Sequence, residues 1–324
     1  MSVAPSRSPA KAAAILIMAT VLWGTSFIFM KVLGQCQQRL DPGASTWFIS
    51  SLSLLMRFGL STLVLVVWQA RRWPTFTRLE YQLGLGLGVF CALGILFQMD
   101  GVMHTAASTS AFLTQCYCIF IPVVVALHKR KWPSSILALS CGMVLTGVAI
   151  LANFNWSELR LGRGEAEAIL GSLFFTAQIL WLERPIFAAN NTDSVTLIMF
   201  AAVTLAVLPV VLVTGSGPRE WVAAYHSPVA LGVIGFLTFV CTLATYGLMN
   251  KWQSHISASH ASLIYCTESL FTSAFALFLP GWLSKMADVN YPNEHITWRL
   301  VVGGGLITAA NLVMLWEAKR LEKK

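Results

Sequence analysis

Ten stretches of about 20 residues, each nearly free of charge, recur along this chain, and nothing else constrains its folding as strongly. They run over 12–34, 47–68, 81–103, 105–128, 134–154, 164–188, 194–214, 228–250, 257–280 and 299–317. A helix rising about 1.5 Å per residue needs about 20 apolar residues to cross a hydrocarbon core about 30 Å thick. The runs are apolar on all sides, unlike the alternating segments of about ten residues that build a membrane barrel. In lipid every backbone N–H and C=O must find a partner within its own span, so helices are the remaining solution. Composition agrees: with 56% hydrophobic and 11% charged residues, the chain lacks the polar surface needed to coat soluble globules. The predicted class is an all-α, polytopic membrane protein.

The net charge of +8 is informative through its distribution. If the N-terminus is cytoplasmic, the inner segments hold fourteen basic residues, Arg71, Arg72, Lys129, Arg130 and Lys131 among them, and the outer loops hold six. That asymmetry follows the positive-inside rule and puts both termini in the cytoplasm. The basic excess is therefore a topology signal, and no nucleic-acid partner is expected. Arg7 and Lys11 precede the first apolar run, which is too long for a cleaved signal peptide and is expected to stay as an anchor.

The polar stretch 155–164 separates five spans from five. Overlaid, the halves share short matches: His104-Thr-Ala-Ala-Ser against His255-Ile-Ser-Ala-Ser, and Gly142 with Thr146 against Gly304 with Thr308. If these mark a repeat, an odd number of spans per half makes the second half enter the membrane inverted. Inverted halves can rock to expose a midplane site to either side in turn.

The residues resemble the EamA-type branch of the drug/metabolite transporter (DMT) superfamily. The resemblance rests on Leu22-Trp-Gly-Thr-Ser-Phe27 in the first span, Leu55-Met-Arg-Phe58 in the second, Thr105 to Thr114 followed by Phe120-Ile-Pro122 in the fourth, and Ser257 to Ile264 followed by Glu268 in the ninth. It implies ten helices in two inverted five-helix repeats, 1–154 and 164–317, around a central substrate cavity. It also implies export or exchange of small metabolites across a bacterial inner membrane. The chain departs from the family at Ser269, where a proline often follows the acidic residue, and at Leu127 to Lys131 and Gly281-Trp282, where a second acidic residue is common.

Glu268 and Arg57 lie near the centres of their spans. An ionised side chain facing lipid there costs about 2.5–3.5 kcal/mol, so each must face protein or a wet cavity. Two readings of Glu268 stay open: a proton-coupling or substrate-amine site, or half of a fixed buried pair with Arg57. Arg57 is read as structural, because a guanidinium can satisfy several carbonyls. His260, two turns before Glu268, titrates near neutral pH. Trp23, Gly24 and Thr25 set a large ring beside a close-approach position and a hydroxyl. Gln98, Gln115, Gln178, Tyr246 and Tyr265 add hydrogen-bonding groups within spans, and some of them must line a polar cavity. The inverted overlay sets Asp100 against Lys251 and His104 against His255 at opposite mouths, where they either bias solute entry or sit in the headgroup region. Pro122 is read as a kink that gates or shapes its helix.

Seven cysteines, all except Cys36 inside predicted spans, behave as small hydrophobes and give no disulfide framework or metal site. No nucleophile motif, metalloenzyme helix motif or phosphate-binding loop is present, so neither an enzyme nor a cofactor is expected. The expected partners are the bilayer and a small-molecule substrate, with monomer and homodimer both open. A sensor or a channel is the competing class, although the loops are too short for a filter.

Overall fold

A computed structural model of the chain describes residues 9–70, 76–128, 130, 135–151, 161–187, 190–256 and 258–322, and among these the regular structure is entirely helical. The elements are α1 (Pro9–Leu40), α2 (Thr46–Gln69), α3 (Arg78–His104), α4 (Ala107–Thr114), α5 (Tyr117–His128), α6 (Ser135–Leu151) and α7 (Arg163–Leu182), followed by α8 (Thr192–Thr214), α9 (Pro218–Ala223), α10 (Pro228–Thr238), α11 (Thr245–Trp252), α12 (Ala258–Ala276), α13 (Leu279–Ala287) and α14 (Trp298–Glu322). Most of the polar stretch expected between the halves lies outside the described residues.

Side chains at the boundaries explain where several helices begin. Ser45 accepts from the Phe48 N–H at the start of α2, and Asn191 accepts from Asp193 and Ser194 at the start of α8. Thr77 and Glu80 form a reciprocal capping box on α3. Glu80 also accepts from the Asn191 N–H at 3.0 Å, which ties the entry of α3 to the entry of α8.

Among the described residues seven helices are long and apolar enough to cross a membrane, or eight if the bent pair α12 and α13 is one span. Shorter apolar helices, Ala138–Leu151 and Trp298–Ala310, fall where the fifth and tenth spans are expected. Three expected spans are interrupted. The fourth breaks after Thr114, where Gln115, Cys116 and Cys118 make i→i−3 backbone bonds. The eighth widens into a π turn over Phe239–Ala244. The ninth ends at Ala276 and bends by 61° into α13, so Pro280 opens a helix where the sequence reading had it close a span. Cys36, expected outside the first span, lies buried inside α1, which runs on to Leu40.

The helices pack across the two halves of the sequence: α1 against α12, α2 against α8, α3 against α7 and α8, and α6 against α14. Phe27, Phe58 and Phe200 are fully buried, and the Phe58 and Phe200 rings meet edge to face at 5.4 Å. Val67 and Val213, by contrast, are 74% and 85% exposed. Apolar side chains turned outward in this way suit a lipid solvent.

The α3–α7 contact is tightest where two glycines face each other. A Cβ on Gly164 would meet the Gly101 carbonyl oxygen at 2.6 Å, and one on Gly101 would meet the Gly164 oxygen at 2.9 Å. A Cβ on Gly305, on the exposed face of α14, would meet nothing within 4 Å. Gly164→Ala is therefore expected to destabilise the protein by about 1–3 kcal/mol, as overpacking does. Gly305→Ala is expected to be neutral or to stabilise by up to about 1 kcal/mol through helix propensity. Thermal unfolding of the two variants in one detergent checks the contrast.

Candidate functional site

The site is built around a backbone irregularity. In a π turn the hydrogen bonds reach to the fifth residue, which shifts carbonyls out of the regular ladder. The Cys241 carbonyl in this turn accepts from Trp23 Nε1 at 3.1 Å, Arg57 Nη2 at 3.0 Å and Thr245 Oγ1 at 2.6 Å. The neighbouring Thr242 hydroxyl accepts from Arg57 Nε and donates to the Leu237 carbonyl at 2.9 Å. One turn thus holds side chains from α1 and α2 in place.

Trp23 in turn sets the aromatic walls. Its ring meets Tyr246 edge-on at 5.2 Å and Tyr265 at 5.7 Å. The Tyr265 hydroxyl donates to Gln253 Oε1 at 2.7 Å. These rings line a half-open cavity with a volume of about 70 Å³. Ile95 and Gln98 of α3, Phe175, Gln178 and Leu182 of α7, and Thr114 and Tyr117 beside the α4–α5 break complete its lining.

Arg57 and Glu268 both line this cavity and both are buried. Among the described residues no ion pair joins them: Arg57 is taken up by the π turn, and Glu268 Oε2 accepts only from Gln115 Nε2, at 3.5 Å. The fixed Arg57–Glu268 pair entertained from the sequence is therefore not formed. Glu268 reaches the cavity because α12 lies close against α1 at Gly24, where a Cβ would meet Phe271 Cβ at 2.9 Å and the Thr272 N at 3.1 Å.

Of the other residues singled out in the sequence, Trp23, Gln98, Gln178, Tyr246 and Tyr265 line the cavity, and Gln115 stands behind Glu268. Thr25 donates to the Leu22 carbonyl at 2.7 Å and is not part of the lining. The side chains of His260 and Pro122 lie outside the described residues. Lys251 and His255 are exposed at the end of the bundle that carries Gln253, and the His255 ring lies 5.6 Å from that of Trp252.

Asp100 and His104 occupy the opposite end, but not as free mouth charges. Asp100 is fully buried and ion-paired to Arg163, which also holds Glu167 at 2.8 Å. His104 lies 3.7 Å from Asp100 and 3.3 Å from the Thr46 hydroxyl. Nearby, Thr105 donates to Glu165 at 2.6 Å, Lys31 donates to the Thr105 carbonyl at 2.5 Å, and Glu294 accepts from the N–H of Ala107 at 2.9 Å. The segment carrying Glu294 also buries Tyr291, whose hydroxyl is pushed up from its usual range by burial and then by the Glu294 carboxylate. These bonds tie α1, α4, α7 and the segment before α14 together at the Asp100 end.

Ser26, Thr114, Tyr117, Phe175 and Gln253 were not singled out from the sequence, and neither were Arg163 and Glu167. Thr242→Val would remove the hydroxyl that receives Arg57 while keeping the side chain's shape. It is expected to lower stability by about 1.5–3 kcal/mol, the range for a hydrogen bond to a charged group. Thermal unfolding followed by tryptophan fluorescence, which also reports on Trp23, checks this.

Residues 10–153 match the EamA-like transporter family. An uncharacterized transporter of Archaeoglobus fulgidus is 22% identical over 286 residues, covering 86% of this chain and 80% of its own. A protein of solved crystal structure aligns over 97% of this chain and 100% of its own, with a TM-score of 0.55 at 17% identity, and so shares the fold. Residues 10–153 are thus similar to the EamA-like transporter family, the likeness to a transporter extends over 86% of the chain, and the long apolar helices suit a membrane.

Proposed function

We propose that this transporter is a secondary carrier, an exporter or exchanger, of small metabolites such as amino acids and related compounds. The observation that carries the proposal is the presence of Arg57 and Glu268, both buried, in one cavity without a bond between them. A carboxylate with one long amide contact keeps acceptor capacity for a substrate amine, and a guanidinium has five donors, more than Thr242, Cys241 and Met30 use. Trp23, Tyr246 and Tyr265 offer ring edges and faces to an apolar or cationic portion of the solute.

Alternating access in two inverted five-helix halves is part of the same proposal. Taking α4 with α5 and α10 with α11 as single spans, exchange of the halves turns the α1–α12 contact into that of α7 with α4 and α5. It turns the α3–α7 contact into that of α1 with α10 and α11, and it leaves α2–α8 and α6–α14 unchanged. All of these contacts are present. The excess of basic residues on the N-terminal side supports cytoplasmic termini and a bacterial inner membrane. Coupling to a proton at Glu268 is the further step, and the membrane potential adds about 2.3 kcal/mol per charge moved across 100 mV.

Flux in proteoliposomes, with a panel of amino acids and amines and with or without a proton gradient, tests the reading. Saturable uptake of at least one such solute is expected, with a loss of roughly tenfold to a hundredfold in Glu268→Gln, the equivalent of a charged hydrogen bond. A flux that never saturates would favour a channel, and no flux for any solute would favour a sensor. Unchanged pH dependence in Glu268→Gln would remove Glu268 from coupling.

A further inference from the structure

The charge cluster at the Asp100 end has room for one more proton. Arg163 binds Oδ2 of Asp100 and Oε1 of Glu167, which leaves the other oxygen of each carboxyl, Asp100 Oδ1 and Glu167 Oε2, buried without a donor. Sharing one guanidinium also draws the two carboxyls together. With both ionised, two negative charges face one positive charge, and each buried oxygen without a donor is destabilising. We propose that Asp100 and Glu167 form a proton-binding site, in which a single proton is held between the two carboxyls. That proton makes an O–H···O bond where no donor now exists, and it brings the cluster of two acids and Arg163 to neutrality.

The surroundings bear this out from each packed element. From α2 the Thr46 hydroxyl accepts from Arg163 at 3.2 Å and offers no charge. From α3 the His104 ring lies 3.7 Å from Asp100 and is charged only when protonated, and from α1 Lys31 acts on His104 from farther off. On α7 the Glu165 carboxylate is engaged by Thr105, and in the segment before α14 Glu294 is engaged by α4. Arg163 opposes proton uptake, while the second carboxyl on the same guanidinium favours it. A metal ion is a poor occupant: among the described residues no group of three or more His, Cys, Asp or Glu side chains is arranged to hold one.

The site lies beside the Gly101–Gly164 contact, where α3 and α7 approach most closely, so the proton is trapped between the two halves. Parting these helices separates and hydrates the carboxyls, and the proton leaves on that side. Acid on that side therefore holds this end shut, and alkali lets it open. The effect on transport rests on the carrier reading above, whereas the site itself does not.

Infrared titration of the full-length protein in bilayers separates the two. A carboxylic-acid carbonyl band that disappears on raising the pH is expected in the wild type and in Glu268→Gln, and the same band is expected to be lost in both Asp100→Asn and Glu167→Gln. Two independent bands, each lost in one variant only, or a band set untouched by both substitutions, would overturn the shared proton. Should Asp100→Asn fail to fold, Glu167→Gln suffices, because its amide N–H can replace the proton as donor to Asp100. In that variant flux is expected to lose its dependence on pH at the Asp100 end while keeping its dependence on Glu268. A wild-type pH profile in Glu167→Gln would reject the gating role even if the band were lost.

Discussion

Three donors from three helices converge on the Cys241 carbonyl, and the geometry of the cavity depends on that convergence. This oxygen lies in the π turn, where the helical bond pattern is displaced by one residue, and it holds Trp23 and Arg57 together. Trp23 then positions Tyr246 and Tyr265, and Tyr265 reaches Gln253, so the wall of the cavity follows from one backbone acceptor. On the other side of Trp23, Gly24 lets α12 come close enough for Glu268 to enter the same space.

The two ends of the bundle are held by different forces. At the Asp100 end the halves are joined by charged bonds: Arg163 with Asp100, Thr105 with Glu165, and Glu294 with the first residues of α4. Charged bonds in a buried setting are directional and strong, and they fail abruptly once water enters. At the Gln253 end the cavity wall is made of Leu182, Met249 and Gln253, with Lys251 and His255 exposed beyond it. Among the contacts described there, the Tyr265–Gln253 hydrogen bond stands beside apolar packing.

What was legible in the sequence follows from what each signal measures. Apolar length reports lipid exposure, so seven of the ten expected spans stand as long apolar helices, with a bent pair at the ninth and shorter helices at the fifth and tenth, and the burial of Glu268 and Arg57 was readable because their charge cannot face lipid. Their mutual position was not readable, because it depends on the π turn, and no residue pattern over Phe239–Ala244 distinguishes that turn from an ordinary helix. Asp100 looked like a mouth charge because its partners, Arg163 and Glu167, lie more than 60 residues away at the entrance of a different helix. An i,i+4 Arg–Glu spacing at the start of α7 was the available signal, and on an exposed helix end it more often means a weak surface pair. Tyr117, Phe175 and Gln253 were missed for a similar reason: aromatic and amide side chains are common in apolar helices, and only the packing shows which of them face inward.

The interruptions in the helices coincide with the functional groups, and the solvent explains why. Backbone freed from its helical bonds cannot face lipid, so it survives only where protein or a cavity satisfies it. The break after Thr114 places Gln115 against Glu268, and the π turn offers its carbonyl to Arg57 and Trp23. The bend between α12 and α13 leads into the segment that carries Glu294 to α4. Each defect thus exchanges a backbone bond for a side-chain bond across the two halves of the chain. Such bonds can be broken and remade without unfolding a span, which the proposed alternation of the two halves requires.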